Sequence, residues 1–488
     1  MATKRIKIIG GGLAGPEAAL QAARFGCEVD LYEMRPTRST EAHQTADFAE
    51  LVCSNSLKSE SENTAPWLLK QEMRRAGSIL LTEADATAVP AGHALAVDRI
   101  EFSRRVAERI AAEPRITVHR EEVTTLDEND PDTITILASG PLTSPALAAE
   151  LQRLTGAHHL AFYDSISPIV DATTIDMDKV YFAARWDKGT ADYINCPFTQ
   201  EEYDRFLDAL TAAETVPAKS WEQIPTEPIL GAPYMTASSS CVGGGATSIN
   251  AIEKSPEKLQ YFEGCLPIEE TARRGRDTLR FGPMKPAGLT NPKTGKWPYA
   301  VVQLRQENLR ADSYNLVGFQ NHLKYGEQNR VLRLIPGLEN ATFLRYGQIH
   351  RNTYIHAPSL LTETLQLKAH PTIMIAGQLS GVEGYTESIA SGLLAGRYAA
   401  AIAHGHTPTP APRASANGSL THYITHAETK KFQPANITFD LLPPLEPELR
   451  KKMRDKKERH KLQCNRALEA WNEWLGRTTE ISRESVNG

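Results

Sequence analysis

Residues 6–9 form a short, mostly apolar run that ends in glycine, the pattern of a strand buried on both faces. Residues 16–25 are alanine-rich and predict a helix, with Gly26 suited to its C-terminal cap. Residues 28–33 (EVDLYE) return as a second strand that ends in an acid, so β-α-β is predicted within about thirty residues. A polar, irregular stretch covers 35–61, and helices follow over 67–76 and 99–112. Residues 133–138 (TITILA) predict another strand, leading through Ser139-Gly140-Pro141 into a helix over 145–154. From about 158 to 289, aromatic and β-branched runs such as 179–184 predict a mixed second domain. A strand at 372–376 (TIMIA), Gly377 and a helix over 385–403 then bring the chain back to the first sheet. The proline-rich stretch 406–412 (HTPTPAP) reads as a linker, and 447–474 as one long charged helix.

The order of these elements defines an α/β fold: a Rossmann-like FAD-binding domain with an inserted mixed α/β domain. Its expected parts are residues 1–155 (first part of the FAD-binding domain), 156–290 (inserted domain) and 291–405 (return). Residues 406–488 are expected to be a linker and a charged C-terminal helical tail. Within the inserted domain, the stretch from about 216 to 255 reads as a surface insertion. Its glycines at 243–245 follow no strand and read as a flexible loop.

The nucleotide site is the most specific local signal. Gly10-Gly11-Gly12-Leu13-Ala14-Gly15 satisfies GxGxxG between a strand and a helix. Gly10 permits the tight turn, Gly12 lets the backbone approach a pyrophosphate, and Gly15 lets helix and strand pack closely. The helix start at Leu13 and Ala14 offers free N–H groups to the phosphates. Glu33, eighteen residues after Gly15, is placed to bind ribose hydroxyls. The late segment Gly377-Gln378-Leu379-Ser380-Gly381-Val382-Glu383-Gly384-Tyr385 repeats the strand, glycine and helix start, as expected where a helix N-terminus faces a flavin ring. This favours FAD over NAD as the resident group, with Gly377, Gln378, Gly384 and Tyr385 beside it. Gln378 stands where many flavoproteins carry an acid. No second GxGxxG exists to bind a nicotinamide in a domain of its own.

Charge and cysteine count change this picture little. The net charge of −5 gives no global basic field, so nucleic acid would have to meet a local patch. Three basic runs stand out: 273–285, 330–351 and 450–461 (RKKMRDKKERHK). Tyr299, Phe319 and Tyr346 are candidates to stack on an extruded base. The six cysteines form no CxxC pair and predict neither disulfides nor a metal site. No stretch reaches the roughly 18 apolar residues of a membrane span, so a cytoplasmic protein without membrane or metal partners is expected. Two cysteines have unusual settings: Cys53 in LVCSNSLK, and Cys265 bracketed by glycine and proline in FEGCLPIE.

Taken together, these motifs resemble the folate- and FAD-dependent tRNA uracil-5-methyltransferases, the TrmFO family. The resemblance runs from about residue 5 to 445. It rests on 8–35 (IIGGGLAGPEAALQAARFGCEVDLYEMR), 51–58, 139–144 (SGPLTS), 162–170 (FYDSISPIV), 192–197 (DYINCP), 261–269, 280–289 (RFGPMKPAGL), 298–306 (PYAVVQLRQ), 315–328 (NLVGFQNHLKYGEQ), 345–354 and 376–396. Ser139 stands where the family commonly has threonine, and Ala184-Arg185-Trp186 where it has Ser-Arg-Tyr.

The resemblance implies methylation of carbon 5 of the T-loop uridine of tRNA, a ribosomal RNA uridine being the near rival. An FAD-dependent small-molecule oxidoreductase is the alternative from another class. Methylenetetrahydrofolate would donate the carbon, reduced FAD would carry and reduce it, and NADH or NADPH would regenerate the flavin. Carbon 5 of uracil is a poor nucleophile until a thiolate adds at carbon 6, which is covalent catalysis. By resemblance Cys265 is that nucleophile, and Cys53 is the general base or a thiol forming a protective adduct; residue patterns alone do not fix which does which. His350 and Arg351 fall in the family segment beside the flavin, where an imidazole can stack on a pterin and a guanidinium can pair with folate or phosphate anions.

Overall fold

The computed structural model describes residues 4–40, 42–156, 160–216, 266–429 and 432–486. Residues 217–265 fall outside that set, and with them nearly all of the expected surface insertion and both Cys241 and Cys265.

The first apolar run forms the strand Arg5–Ile9, with Ile6 and Ile8 fully buried at the centre of a five-stranded parallel sheet. The spatial order is Ile373–Ile375, Thr133–Leu137, Arg5–Ile9, Val29–Tyr32, Ile116–His119. Ile8 lies in register with Leu31 on one side and Ile136 on the other. The helices Ala14–Arg24 and Tyr385–Ala403 pack on each other beside this sheet. Contact there is backbone to backbone: a Cβ on Gly392 would stand 2.3 Å from Ala14 O, and one on Gly396 2.4 Å from Ala18 O. Small residues on both helices therefore bring their two N-terminal ends to one place.

The second body is a six-stranded antiparallel sheet in the order Tyr181–Ala183, Tyr193–Phe198, Ala300–Gln306, Ser313–Leu316, Ile169–Asp171, Phe343–Arg345. Three of its strands follow residue 291, so the expected return to the first body at that point comes later. The chain leaves and re-enters through the antiparallel pair Leu160–Ser165 and Ile349–Tyr354. Alternating strands after 300 carry no mark of which sheet they join; pairing alone decides that.

The expected linker and tail are likewise corrected. Residues 447–474 are not one helix: Pro447–Lys452 and Lys456–Val486 are separated at Met453–Asp455. Asp455 starts the second, its carboxylate accepting from Lys457 N at 2.9 Å. Under its charged exterior the long helix hides Cys464, Ala467, Leu468, Trp471 and Trp474, an apolar stripe at helical spacing that joins the first core. Trp471 Nε1 donates to Glu72 O at 2.7 Å, and Trp474 Nε1 to Thr409 O at 3.0 Å, so the proline-rich stretch is packed down. A further helix, Ala416–His426, lies between them in sequence. No helix among the described residues is long and apolar enough to cross a membrane.

Glu72 ties this C-terminal layer to the first body. Its carboxylate, fully buried, accepts from Ala416 N, Asn417 N and Asn417 Nδ2 at 2.7–2.9 Å. Burial outweighs those bonds and pushes the carboxyl up to about 7 from the usual 4.5. The folded chain therefore holds this proton more tightly than the unfolded one. Its contribution is complete below pH 4.5 and is lost as pH rises through about 7. Urea midpoints at pH 5 and pH 8 should differ less in Glu72→Gln than in the parent chain. Equal differences in the two proteins would rule the assignment out.

Candidate functional site

A cavity of about 370 Å³ opens at the C-terminal edge of the parallel sheet, where open α/β sheets bind nucleotides. Gly10 to Ala14 form one wall, Glu33 another, Ser139 to Ser144 a third, and Gly377, Gln378, Gly384 and Tyr385 the far end. Gly10 has φ +119°, and its N–H donates to Tyr32 O at 2.8 Å, which closes the turn. A Cβ on Gly15 would stand 1.8 Å from Gly10 O, so only glycine lets the helix start that close to the strand. Gly12 differs: a Cβ there would meet nothing within 4 Å, leaving room above its backbone.

The helices Ala14–Arg24 and Tyr385–Ala403 both begin without a side-chain cap, and both starts line the cavity. Their first N–H groups and positive dipole ends are therefore available to an anionic or electron-rich ligand. Asn352 Oδ1 is a buried acceptor on the cavity lining with no protein partner, a group that a ring N–H can satisfy. Open space over Gly12, two uncapped helix starts and an unmatched acceptor fit FAD.

Glu33 accepts from Gly11 N at 2.7 Å and from both Arg35 N and Arg35 Nε at 2.9 and 2.8 Å. Burial alone would raise its carboxyl; the bonds and charge of Arg35 override this and hold it below the usual range. The acid expected at the ribose is thus ionised, but through an arginine two residues on. Gln378 Nε2 donates to Glu383 Oε2 at 2.7 Å, so the glutamine in the acid's place is itself paired with an acid on the cavity lining.

Cys53 lies on the cavity wall, half-buried, on a loop held from several sides. The Tyr385 hydroxyl oxygen accepts from Cys53 N at 2.7 Å and Ser54 N at 3.3 Å. Burial, then the nearby Cys53, push the Tyr385 phenol well above its usual range, so it stays neutral. Two residues on, the fully buried Asn55 Nδ2 donates to Val97 O and to Gln306 O in the second body. Arg99 makes a bidentate pair with Glu307 at 2.6 and 3.0 Å and donates to Leu51 O at 2.9 Å. Burial by itself would lower the Arg99 guanidinium; Glu307, Tyr385 and Cys53 together hold it up. Arg345 is lowered by burial and by Arg99, with Cys53 acting in the opposite sense. Two guanidiniums thus act electrostatically on Cys53 and favour any negative charge that develops there. Sequence reading missed Asn55, Arg99, Glu307 and Arg345. Their partners lie up to 303 residues away, so no local spacing could reveal them.

Other expected residues are placed less centrally. His350 and Arg351 lie on the strand Ile349–Tyr354 in register with Asp164 and Tyr163; their side chains are outside the described set, as is Cys265. Phe319 cannot stack on a base: it is fully buried in the second core against Phe206. Tyr299 packs on Tyr203 under the Arg280 guanidinium, and Tyr346 stacks on Phe343. The basic run 273–285 is largely neutralised, with Arg273 on Glu270, Arg276 on Asp204 and Asp208, and Arg280 on Asp277. Arg330 of the next run is bound to Glu327. Apart from the cavity lining, Glu363, His422 and His426 bring metal-ligand-type atoms within 4.8 Å of one another, with no role expected from sequence.

With this geometry in place, comparison with known proteins is informative. Residues 5–232 and 246–407 match the family described as Glucose inhibited division protein A. The solved structure of Aquifex aeolicus GidA in its form I crystal superposes with a TM-score of 0.65 at 16% identity, covering 99% of this chain and 78% of that one. Fold and cavity define a flavoprotein of this class, built to bind FAD. Identity is far higher elsewhere. The methylenetetrahydrofolate–tRNA-(uracil-5-)-methyltransferase TrmFO of Koribacter versatilis (strain Ellin345) is 64% identical over 477 residues, 98% of this chain and 99% of the relative. That of Enterococcus faecalis (strain ATCC 700802 / V583) is 51% identical over 467 residues, 96% and 98% of the two chains. The chain belongs to the TrmFO family.

Proposed function

We propose that this chain methylates carbon 5 of the T-loop uridine of tRNA, with methylenetetrahydrofolate as carbon donor. The observation that carries the reading is Cys53, on the wall of the cavity that fits FAD and in electrostatic reach of Arg99 and Arg345. It occurs in a chain closely similar to relatives named for this reaction. FAD held by Gly10 to Ala14, Glu33 and the 377–385 segment would supply, in its reduced form, the one-carbon relay and the two electrons of the methyl group, with NADH or NADPH as the reductant that would regenerate it.

The Cys265 thiolate adds to carbon 6 of uracil, forming a C–S bond and moving an electron pair toward carbon 5. Carbon 5 bonds to the one-carbon unit, and Cys53 removes the carbon 5 proton as general base while the bond from that carbon to its carrier nitrogen breaks, leaving an exocyclic methylene on carbon 5. The two electrons that reduced FAD would supply reach this methylene as hydride, and the C–S bond breaks as the 5,6 double bond re-forms, returning the thiolate. Tyr385 positions the Cys53 loop through its two backbone N–H groups. Arg99 and Arg345 offset negative charge beside Cys53. Glu33 binds ribose hydroxyls, and His350 and Arg351 hold the folate through stacking and charge.

The test is incubation of the purified flavin-loaded chain with unmodified tRNA transcript, labelled methylenetetrahydrofolate and NADH. Label is expected in a T-loop uridine methyl group. Label arriving instead from S-adenosylmethionine, or in no RNA, would falsify the reading.

A further inference from the structure

The second body carries an aromatic surface that the chemistry above does not use. Trp186 and Trp297 are about half exposed, at 54% and 51%, and meet edge to face with centroids 5.3 Å apart. Trp186 sits at φ +62° and Asp187 at φ +51°, a left-handed backbone that side chains other than glycine rarely adopt. The conformation is imposed by fixed contacts. Trp186 N donates to Gly288 O at 2.7 Å, and the indole closes over Gly288, where a Cβ would come within 2.6 Å of the ring. Arg185 donates to Lys285 O and Ala287 O, pinning the two segments together. A large apolar side chain is thus held outward, by a turn that disfavours it, where burial would otherwise be the favoured outcome.

The charge around the pair is mostly positive. Segments 185–188 and 285–297 contain Arg185, Lys188, Lys285, Lys293 and Lys296, with Asp187 as their only carboxylate. The four lysines are exposed, and none pairs with a carboxylate among the described residues. This is the reverse of Arg273, Arg276 and Arg280, each of which has an acidic partner in the structure. Arg185 also donates to Gln303, on the strand Ala300–Gln306 whose far end receives Asn55 of the Cys53 loop. Gln303 and Gln306 lie three residues apart on that strand, about 10 Å at ~3.4 Å per residue. One folded RNA can span that separation.

Resting on the methyltransferase reading, we infer that Trp186 and Trp297, with Lys188, Lys285, Lys293 and Lys296 of the same two segments, form a docking platform for the RNA substrate outside the reaction cavity. Unpaired bases stack on the indoles and the lysines meet backbone phosphates, the combination that single-stranded and looped RNA requires. A free small-molecule anion would use the lysines and not the tryptophans.

Equilibrium binding of unmodified tRNA transcript to the flavin-loaded chain at several salt concentrations tests this. Trp186→Ala and Trp297→Ala should each weaken binding about 5- to 100-fold with an unchanged salt slope, and Trp186→Phe should restore most of it. The combined Lys285→Ala, Lys293→Ala, Lys296→Ala variant should reduce the slope of log affinity against log salt by about 2 to 3. In methylation assays the tryptophan variants should raise the tRNA KM with kcat and flavin content intact. If the parent chain methylates tRNA and both sets of variants bind within twofold of it with the same slope, the platform is refuted while the function stands. If the parent neither binds nor methylates tRNA, the function itself has failed and the platform falls with it.

Discussion

Cys53→Ala is expected to lower uracil methylation by about 10²- to 10⁴-fold, the range a positioned general base contributes. Flavin content and tRNA affinity should be unchanged. The side chain lines the cavity, while its loop is fixed by backbone and neighbour contacts: Tyr385 oxygen on Cys53 N and Ser54 N, Asn55 on Gln306 O, Arg99 on Leu51 O. Removing the sulfur therefore leaves the loop in place and takes away only the proton acceptor. Product formation from labelled methylenetetrahydrofolate is the measurement, with visible flavin absorbance and tRNA binding as controls. Activity within a few-fold of the parent would move the base elsewhere and leave Cys53 as part of the wall.

Gly15→Ala should abolish FAD binding and destabilise the fold, whereas Gly12→Ala should only weaken FAD. The difference lies in what each new methyl meets. At position 15 it would lie 1.8 Å from Gly10 O and 3.0 Å from Gly10 C, backbone atoms of the very turn that holds the phosphate. The helix must move off the strand, at a cost of about 1–3 kcal/mol or more. At position 12 it would meet nothing within 4 Å, so the fold is untouched and only the space above the turn shrinks. Thermal unfolding and flavin titration of both variants measure the two effects separately. A Gly15→Ala protein that unfolds and binds FAD like the parent would contradict this geometry.

These expectations mark how far the residues could be read unaided. Gly10, Gly12, Gly15 and Glu33 were legible because strand, turn, helix and acid fall within about thirty residues, and the strand Arg5–Ile9 and helix Tyr385–Ala403 lie where their patterns placed them. Tyr385 was placed beside the flavin site and lines the cavity, but its grip on Cys53 N, 332 residues distant, was not legible. Phe319 was misjudged because an aromatic flanked by glycine and polar residues looks the same whether it faces solvent or the core. The basic run 273–285 misled for a related reason: Arg276 finds carboxylates at 204 and 208, which linear charge counting does not pair with it, while Arg273 and Arg280 pair with acids one helical turn before them.

The amino-acid order by itself determined the parallel nucleotide-binding half, its glycine turn, the late return helix and the family resemblance. Each depends on contacts within a few turns of helix or strand, or on motifs specific enough to stand alone. Only the tertiary structure decided which sheet the strands after 300 join, and that the C-terminal helix buries Trp471 and Trp474 against the first body. It alone brought Arg99, Glu307 and Arg345 to Cys53. Strand pairing and burial of charge are settled by partners hundreds of residues away, and a pattern read along the chain carries no record of those partners.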